Sequence, residues 1–542
     1  MRTLVIQFGR VGDVIQTTPL LRDLAARSRD TDVLLVTPNE NALAGLGGLS
    51  QVRAVAPDAK LLDDQIATGF AVGKTPAEAS VFLKGLDLPQ YNRIINTSHS
   101  ALGCWLTGHI PCKRREGGVI GDTGECLYEG MAHTYRVAQL GFRERNWFNL
   151  VDLLRCSAKH RTMPQPTSRP FVNTSEGLSF VPPPGRRVAL NVGASEPHRR
   201  WPQENFARLA EDLTTAGLVP ILVGAPSERD LAAQVQALCH CPLPSFMEMP
   251  VPEMATLLSL TDLLVSVDTG AVHIAAAAGT KVLSLSGSSV YFAETSPWSA
   301  GNLILQGRLG APMSQLEPSL VLTAALNRLG LVDQAGLRVE LARHRQEAWE
   351  TSFLPSEADP LGGITYWPLH EHVSGIEDLF TRTLRHVFAD RFCGGGGNIS
   401  IEYLKEKFPT ACDGPHSGLN RQVEGLRNSL KPIVQTLQQM SVAAAKCEKS
   451  SKRIDRESGT VVNQLVPVLI RTQKTLLQCT AGADGRAFQP VVHYLDWRLR
   501  MMPQLPPVET FAYHVREYQA AAAMLSQCWS LLAGLLQCSA LE

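Results

Sequence analysis

A chain of 542 residues is long enough for more than two ordinary domains, and its 44% hydrophobic and 19% charged content is typical of a globular protein. Lys plus Arg and Asp plus Glu both number 51, so no net charge attracts the chain to nucleic acid or to an anionic bilayer. The 12 cysteines lack tight spacing, which favours reduced thiols in the cytoplasm over a disulfide framework.

The chain opens with a strand, a glycine turn and a helix. Residues 3–8 are an apolar run that predicts a strand, and Gly9 and Gly12 bracket a flexible turn. Asp13 then starts a helix over Val14–Ala26. This is not the dinucleotide-binding fingerprint, because the third glycine is missing. Two interpretations of Asp13 stay open: a carboxylate that takes part in chemistry, or an N-cap with a purely structural role.

The alternation of strands and helices continues after the first helix. Asp32–Thr37 and Arg93–Asn96 are predicted strands, and Pro76–Leu86 and Trp147–Cys156 are predicted helices. Residues 161–185 are rich in proline and serine, which predicts a linker between two domains.

A second strand leads into a basic loop. Arg186–Val192 is a predicted strand, and Arg199 and Arg200 precede a predicted amphipathic helix over Gln203–Thr214. Such a loop stands at the carboxyl edge of a parallel sheet, where α/β folds bind ligands. Arginine can hold a phosphate there with two parallel hydrogen bonds. The alternative is a solvated basic loop.

A third strand ends in a polar turn. Leu263–Val267 is an apolar run that predicts a buried strand, and the residues Asp268–Gly270 are typical of a turn. Val272–Ala278 is a predicted helix of small residues that contains His273. A helix that opens directly after a buried strand directs free N–H groups at the crevice, which suits a phosphate. The alternative is that Asp268 only caps the helix and that His273 lies on the surface.

Beyond about residue 335, long helical patterns replace the alternation and predict an added all-α domain of unknown role. Apolar residues recur there at steps of three and four, which predicts one buried helix face: Val423, Leu426, Leu430, Ile433, Leu437 and Met440. Val461–Leu477 and Phe511–Leu541 are further predicted helices. The last one is long enough to cross a bilayer, but its glutamines favour a helix buried in a bundle or an oligomer.

Together, the three junctions resemble the heptosyltransferases of glycosyltransferase family 9 over about residues 1–330. The resemblance implies an α/β GT-B fold, in which two doubly wound, Rossmann-like domains face a cleft. It divides the chain into an acceptor domain (1–165), a donor domain (166–334) and the helical extension (335–542). The motifs that carry it are Gly12–Ile15 with Thr17–Leu20, Gly193–Ala194 with Arg199–Pro202, and Asp268–Gly270 with His273.

The resemblance also implies a role for individual residues. Asp13, beside the glycine loop of Gly9 and Gly12, corresponds to the general base. Arg199, where the family usually has a lysine, contacts the donor diphosphate, and Arg200 lies in the same loop. The remaining donor-binding residues are Glu228 at the ribose, Met249 at the adenine, and the turn formed by Asp268, Thr269, Gly270 and His273.

The implied reaction moves a heptose or a related sugar from an ADP-activated donor to a lipopolysaccharide-core-type or other surface glycan, with inversion. No cofactor and no metal are expected, because no Asp-x-Asp pair precedes a diphosphate site, and Cys239-x-Cys241 lacks a second ligand pair. A protein-directed heptosyltransferase and a non-catalytic nucleotide-sugar-binding scaffold stay open as alternatives. We expect a cytoplasmic protein; peripheral association with the inner membrane and oligomerisation through the helical extension also stay open.

Overall fold

The computed structural model describes residues 2–26, 32–36, 52–55, 90–121, 124–158, 182–345, 352–359, 362–369, 376–393, 417–451, 456–479, 483–501 and 507–535. The predicted helix Pro76–Leu86, most of the linker 161–185 and the tip of the last helix lie outside these residues. The chain divides into two compact units: Met1–Arg115 with Phe148–His370, and Glu116–Trp147 with Glu371–Glu542.

The strands are β1 (Arg2–Ile6), β2 (Asp32–Val36), β3 (Val52–Val55), β4 (Tyr91–Asn96), β5 (Cys112–Ile120), β6 (Cys126–Glu129), β7 (Arg187–Asn191), β8 (Val219–Val223), β9 (Ser245–Phe246), β10 (Leu263–Val267), β11 (Val282–Ser288), β12 (Leu303–Leu309), β13 (Ser352–Ala358) and β14 (Ile364–Tyr366). The strands expected at residues 3–8, 32–37, 93–96, 186–192 and 263–267 are all confirmed to within a few residues.

The helices are α1 (Val11–Ala26), α2 (Ala101–His109), α3 (Met131–Ala138), α4 (Leu150–Arg155), α5 (Gln203–Thr215), α6 (Arg229–Leu238), α7 (Val251–Ser259), α8 (Gly270–Ala278), α9 (Phe292–Thr295), α10 (Pro318–Arg328), α11 (Gln334–Arg345), α12 (Ile376–Cys393), α13 (Ser417–Ser451), α14 (Arg456–Cys479), α15 (Gln489–Arg500) and α16 (Pro507–Leu535).

The first unit contains two parallel sheets. In the N-terminal half, β3, β2, β1 and β4 lie side by side in that order. In the C-terminal half the order is β12, β11, β10, β7, β8 and β9, again parallel. Strands β7 and β10 are neighbours, so the polar segments that follow them emerge at the same edge of the sheet.

The two halves of the first unit share a hydrophobic core where α1 packs against α8. Val14 and Ile15 of α1 belong to the same buried cluster as Val272 and Ile274 of α8. Both helices begin at the carboxyl end of a strand of their own sheet, so the contact between their apolar faces brings the two sheet edges together. The first unit therefore has the two-domain GT-B arrangement that the family resemblance implies.

The segment after residue 335 is not purely helical. Strand β13 runs antiparallel to β12, and β14 runs antiparallel to β13, so the second sheet extends beyond the point where the α/β pattern was expected to end. Sequence reasoning missed these strands because they are short and follow a helical pattern. Lys113, Arg114 and Arg115 lie on β5.

The second unit is mainly helical. The longest helices, α13 and α16, pack against each other, and α12 packs on α16. The predicted apolar face of α13 is confirmed, because all six of its residues are buried: Val423, Leu426, Leu430, Ile433, Leu437 and Met440. Among the helices of the described ranges, none has the length and apolar character that a membrane crossing requires.

Candidate active site between the two sheets

The first turns of α1 and α8 approach each other at the end of the helix contact where the polar residues lie. A Cβ atom built on Gly12 would lie 3.2 Å from Cδ2 of His273 and 3.3 Å from Cα of Gly270. Such separations leave little room for any side chain at position 12. The glycine therefore allows the backbone at the start of α1 to lie against the start of α8.

Asp13 lies in the first turn of α1 and faces this junction. The helix begins at Val11 rather than at Val14, so Asp13 is its third residue, and the carboxylate accepts a hydrogen bond from the Arg10 backbone N–H at 2.7 Å. This is the reciprocal half of a capping box. The carboxylate also lies over Gly9, where any Cβ would clash with it. Asp13 is therefore not the N-cap considered from the sequence; it lies inside the first turn, and the Arg10 N–H holds its half-buried carboxylate in a fixed position.

On the opposite side of the gap, Arg199 and Asp268 form an ion pair. Nη2 of Arg199 lies 2.6 Å from the Asp268 carboxylate and donates to the Asp268 carbonyl at 2.9 Å. The two side chains are only 19% and 14% exposed, so the pair is largely shielded from water. Among the described residues, no acceptor lies within reach of the buried Nε of Arg199. The guanidinium therefore retains a donor for a ligand.

The pKa of Asp268 reflects two opposing influences. Burial raises the pKa of Asp268 above its ordinary value, and the charges of Asp13 and Glu294 add to this, while Arg199 and the Thr295 hydroxyl lower it. Because the charge of Asp13 acts on Asp268, the two carboxylates lie near each other although they belong to different sheets.

His273 is buried, not on the surface. Its side chain is 7% exposed, and the Gln16 side-chain amide of α1 donates to its Nε2. Burial lowers the pKa of His273 to about 3, so the ring is neutral at physiological pH. The ring also borders a cavity of about 20 Å³. His273 therefore links the two halves and supplies no positive charge to a ligand.

Asn191 is the centre of a hydrogen-bond network that sequence reasoning missed. Its amide nitrogen donates to Glu228 at 3.2 Å, and its amide oxygen accepts from the hydroxyls of Thr269 at 3.0 Å and Ser266 at 3.2 Å. Because the Thr269 hydroxyl is held by Asn191, it does not cap the first turn of α8. No motif marks Asn191; the only signal in the sequence is a polar residue at the end of a buried strand.

Glu228 is held in place by two glycines and the network. Its carboxylate accepts from the Ala225 backbone N–H at 3.0 Å. A Cβ on either Gly193 or Gly224 would collide with the Glu228 side chain, so the glycines provide its space. Beyond Glu228 lies an open cleft of about 640 Å³, with Met249 in its wall. The residues that line this cleft are Arg229, Ser245, Phe246, Met247, Glu248, Met249, Pro250 and Glu253.

Two arginines fix the loop after β7. Nε of Arg200 donates to the Ala194 carbonyl at 2.9 Å. This hydrogen bond stabilises the turn after β7, so Nε of Arg200 is not directed at the gap between the two sheets. Arg10, from the N-terminal half, donates to the Ser195 hydroxyl at 2.9 Å. Sequence reasoning missed this contact between the halves, because it joins positions 185 residues apart.

Comparison with known proteins finds a match to one family model over part of the chain. Residues 173–317 match the model of glycosyltransferase family 9 (heptosyltransferase). No curated protein sequence matches the chain.

Several solved structures are similar. A family 9 glycosyl transferase from Veillonella parvula is 16% identical with a TM-score of 0.38, over 60% of this chain and 97% of that one. The E. coli heptosyltransferase WaaC with ADP is 17% identical with a TM-score of 0.43, over 60% of this chain and 100% of that one. The E. coli ADP-heptose lipopolysaccharide heptosyltransferase II is 18% identical with a TM-score of 0.42, over 63% of this chain and 100% of that one.

Proposed function

We propose, from the premise that residues 173–317 are a family 9 glycosyltransferase domain, that the chain transfers a heptose or a related sugar from an ADP-activated donor to a hydroxyl of a lipopolysaccharide-core-type or other surface glycan. The observation that supports the proposal is the position of Asp13. This half-buried carboxylate lies in the first turn of α1, which meets the start of α8 at Gly12, and its charge acts on Asp268, the partner of Arg199.

Asp13 acts as the general base. Its carboxylate takes the proton of the acceptor hydroxyl while the hydroxyl oxygen forms a bond to the anomeric carbon. The bond from that carbon to the diphosphate breaks, and ADP leaves with the electron pair. A single displacement of this kind inverts the configuration at the anomeric carbon. The Arg10 N–H supports the proposal, because it holds the carboxylate in one orientation.

The C-terminal half stabilises the leaving diphosphate. Arg199 carries the positive charge, and its unused Nε is available for a phosphate oxygen. The first-turn N–H groups of α8 add donors, because the Thr269 hydroxyl bonds to Asn191 instead of capping them. These groups supply positive charge to the leaving diphosphate.

The nucleotide lies along Glu228 and the open cleft. The Glu228 carboxylate, positioned by Asn191 and the Ala225 N–H, accepts hydrogen bonds from the ribose hydroxyls. Met249 provides an apolar wall for the adenine. A shift in melting temperature with ADP-heptose, and none with UDP- or GDP-sugars, tests this assignment. Equal or absent stabilisation by all of these donors would contradict an ADP-specific site.

The decisive experiment compares Asp13→Ala with Asp13→Asn. The asparagine keeps an oxygen that can accept the Arg10 N–H, so it preserves the helix start and removes only the base. Both variants should lose transfer by about 10²- to 10⁴-fold while they bind ADP as the unmodified protein does. Transfer is measured with ADP-heptose and an acceptor glycan, and ADP binding by calorimetry. Full transfer by Asp13→Asn would overturn the role of Asp13.

A further inference from the structure

Cys239 and Cys241 follow α6 and present their thiols to each other. Cys239 has an extended backbone, with φ −91° and ψ 133°. Alternate residues of an extended segment point to the same side, so Cys239 and Cys241 share one side and His240 points to the other. The two Sγ atoms are 3.1 Å apart, and both thiols are free.

The surroundings hold the two thiols in this arrangement. The Thr214 hydroxyl donates to Cys241 Sγ at 3.3 Å, and the Glu211 carboxylate accepts from the His240 backbone N–H at 2.9 Å. Both cysteines are half-buried, so small oxidants can reach them. Burial, together with the hydrogen bond that the Cys239 thiol makes to Cys241 Sγ, raises the pKa of the Cys239 thiol to about 11.

The local chemistry favours a disulfide over a metal. In the part of the chain that the structure describes, no third His, Cys, Asp or Glu joins the pair to complete a ligand set. A disulfide between these neighbours would close a very short loop, so it would gain little from the loss of chain entropy. Disulfides that gain little stability are easily reduced, and this is typical of pairs that cycle between two states.

We propose that Cys239 and Cys241 form a reversible dithiol–disulfide pair. With a disulfide oxidant such as oxidised glutathione, the Cys241 thiolate attacks one sulfur and releases one glutathione, which leaves a mixed disulfide. Cys239 then loses its proton and attacks the Cys241 sulfur, and the second glutathione leaves. Two electrons pass from the pair to the oxidant, and the two protons end on the released thiols. Cys239 acts second because it holds its proton tightly.

The pair lies at one end of a segment that leads to the open cleft. From Cys241 the chain runs through Leu243, whose carbonyl accepts from the Gln236 amide at 2.9 Å, into β9. The residues directly after β9, including Met247 and Met249, line the cleft. The cysteine pair therefore lies at one end of a segment whose other end belongs to the proposed nucleotide site.

The test uses the full-length native protein in glutathione buffers of increasing oxidised fraction. Free thiols are then blocked by alkylation without reduction, and the protein is digested with trypsin. The tryptic peptide from Asp230 to Lys281 contains both cysteines of the pair and no other. In oxidised samples this peptide should carry no alkyl group, and its mass should be lower by two hydrogen atoms than that of the unalkylated dithiol peptide. After reduction and renewed alkylation, both alkyl groups should be present. Two free thiols in fully oxidised glutathione, or a glutathione on each sulfur, would overturn the proposal.

Single variants test the order of attack. Cys239→Ser should accumulate one glutathione on Cys241, because no second thiol resolves the mixed disulfide. Cys241→Ser should remain mostly unmodified over the same time, because the Cys239 thiol keeps its proton. The exposed Cys126 shows in each sample that the oxidant is active, and melting curves show that each variant is folded. Equal adducts in both variants would contradict the assigned order.

Discussion

Asp13 and Asp268 occupy equivalent places in the two halves of the first unit, since each follows a buried parallel strand at a helix start. Their surroundings differ. Asp13 is held by a neutral donor from its own helix start, the Arg10 N–H at 2.7 Å. Asp268 is held by a charged donor from a distant loop, Arg199 at 2.6 Å. One carboxylate faces the gap, and the other neutralises an arginine.

This difference assigns distinct chemical tasks to the same local pattern. Burial raises the pKa of Asp268, and the charge of Asp13 adds to that rise. Two acids in unlike surroundings can divide the work of a reaction between them. In our proposal Asp13 handles the proton, while Asp268 positions Arg199 for the diphosphate.

The largest expected effect distinguishes the roles of Asp13 and Asp268 by their kinetics. Asp13→Asn should lower kcat by about 10²- to 10⁴-fold because the base is lost. Asp268→Asn should lower kcat/KM by about ten- to a hundredfold, because the amide still offers an oxygen to Arg199 and the lost charge is worth about 1.5–3 kcal/mol at most. Steady-state kinetics with ADP-heptose measures both. If the two variants behave alike, the comparison fails.

A methyl group at position 12 should separate the two halves. In Gly12→Ala the new Cβ would lie 3.2 Å from His273 and 3.3 Å from Gly270, which is too close without movement. A displacement of about 1 Å between base and donor can cost about a hundredfold in rate, so the smaller shift that these two contacts require should cost about tenfold or less. We expect this fall in transfer at a nearly unchanged melting temperature. Unchanged kinetics would mean that the two helix starts do not set the reacting geometry.

Removal of the Arg199 charge should weaken donor binding more than it slows the transfer step. Arg199→Met should weaken ADP binding by about ten- to a hundredfold, the range expected when a charged hydrogen bond is lost. Arg199→Lys, which restores the residue that the family usually has, keeps the charge and should stay within about tenfold of the unmodified protein. Calorimetry with ADP compares them. Equal affinities for Met and Lys would exclude Arg199 from the diphosphate site.

Because the buried His273 ring is neutral, we expect the free energy of unfolding to decrease in acid. Its pKa falls from 6.5 in the unfolded chain to about 3 in the folded protein. A depressed pKa contributes stability that is fully present above pH 6.5 and is lost progressively as the pH falls toward 3. His273→Gln lacks this titration, so its urea midpoint should fall less between pH 7 and pH 4. Parallel decreases in both proteins would contradict a buried, neutral ring.

Asp268 should act in the opposite direction. Its pKa is raised in the folded protein, so its contribution to stability is greatest in acid and is lost as the pH rises through that value. The urea midpoint of the unmodified protein, relative to that of Asp268→Asn, should therefore decrease as the pH is raised from 4 to 7. An increase over this range would mean that Arg199 outweighs burial at this site.

The smallest expected effect serves as a control in the helical second unit. Gly425 lies on an exposed part of α13, and a Cβ there meets open space. Gly425→Ala should stabilise the protein by about 0.5–1 kcal/mol, because alanine loses less conformational entropy in a helix. Thermal unfolding measures the gain, and transfer should be unchanged. A loss of stability would mean that this face of α13 is covered.

Local patterns were sufficient for much of the fold and for the family. The strand Leu263–Val267, the turn Asp268–Gly270 and the apolar face of α13 were predictable because each depends on neighbours within a few residues. The same patterns placed Asp13, Arg199 and Asp268 at strand ends. Strand β13 escaped prediction, because its pairing with β12 depends on residues about fifty positions away, and β14 then pairs only with β13.

What the sequence determined by itself is the periodicity of the strands and helices, the glycines at tight turns, and the acidic and basic residues that follow the strands. Only the tertiary structure decided that Asn191 connects Glu228 to Thr269, that Gln16 meets His273, and that Arg10 reaches Ser195. The physical reason is that periodicity and turn chemistry act between near neighbours, whereas burial, pKa and hydrogen-bond partners depend on segments that only folding brings together.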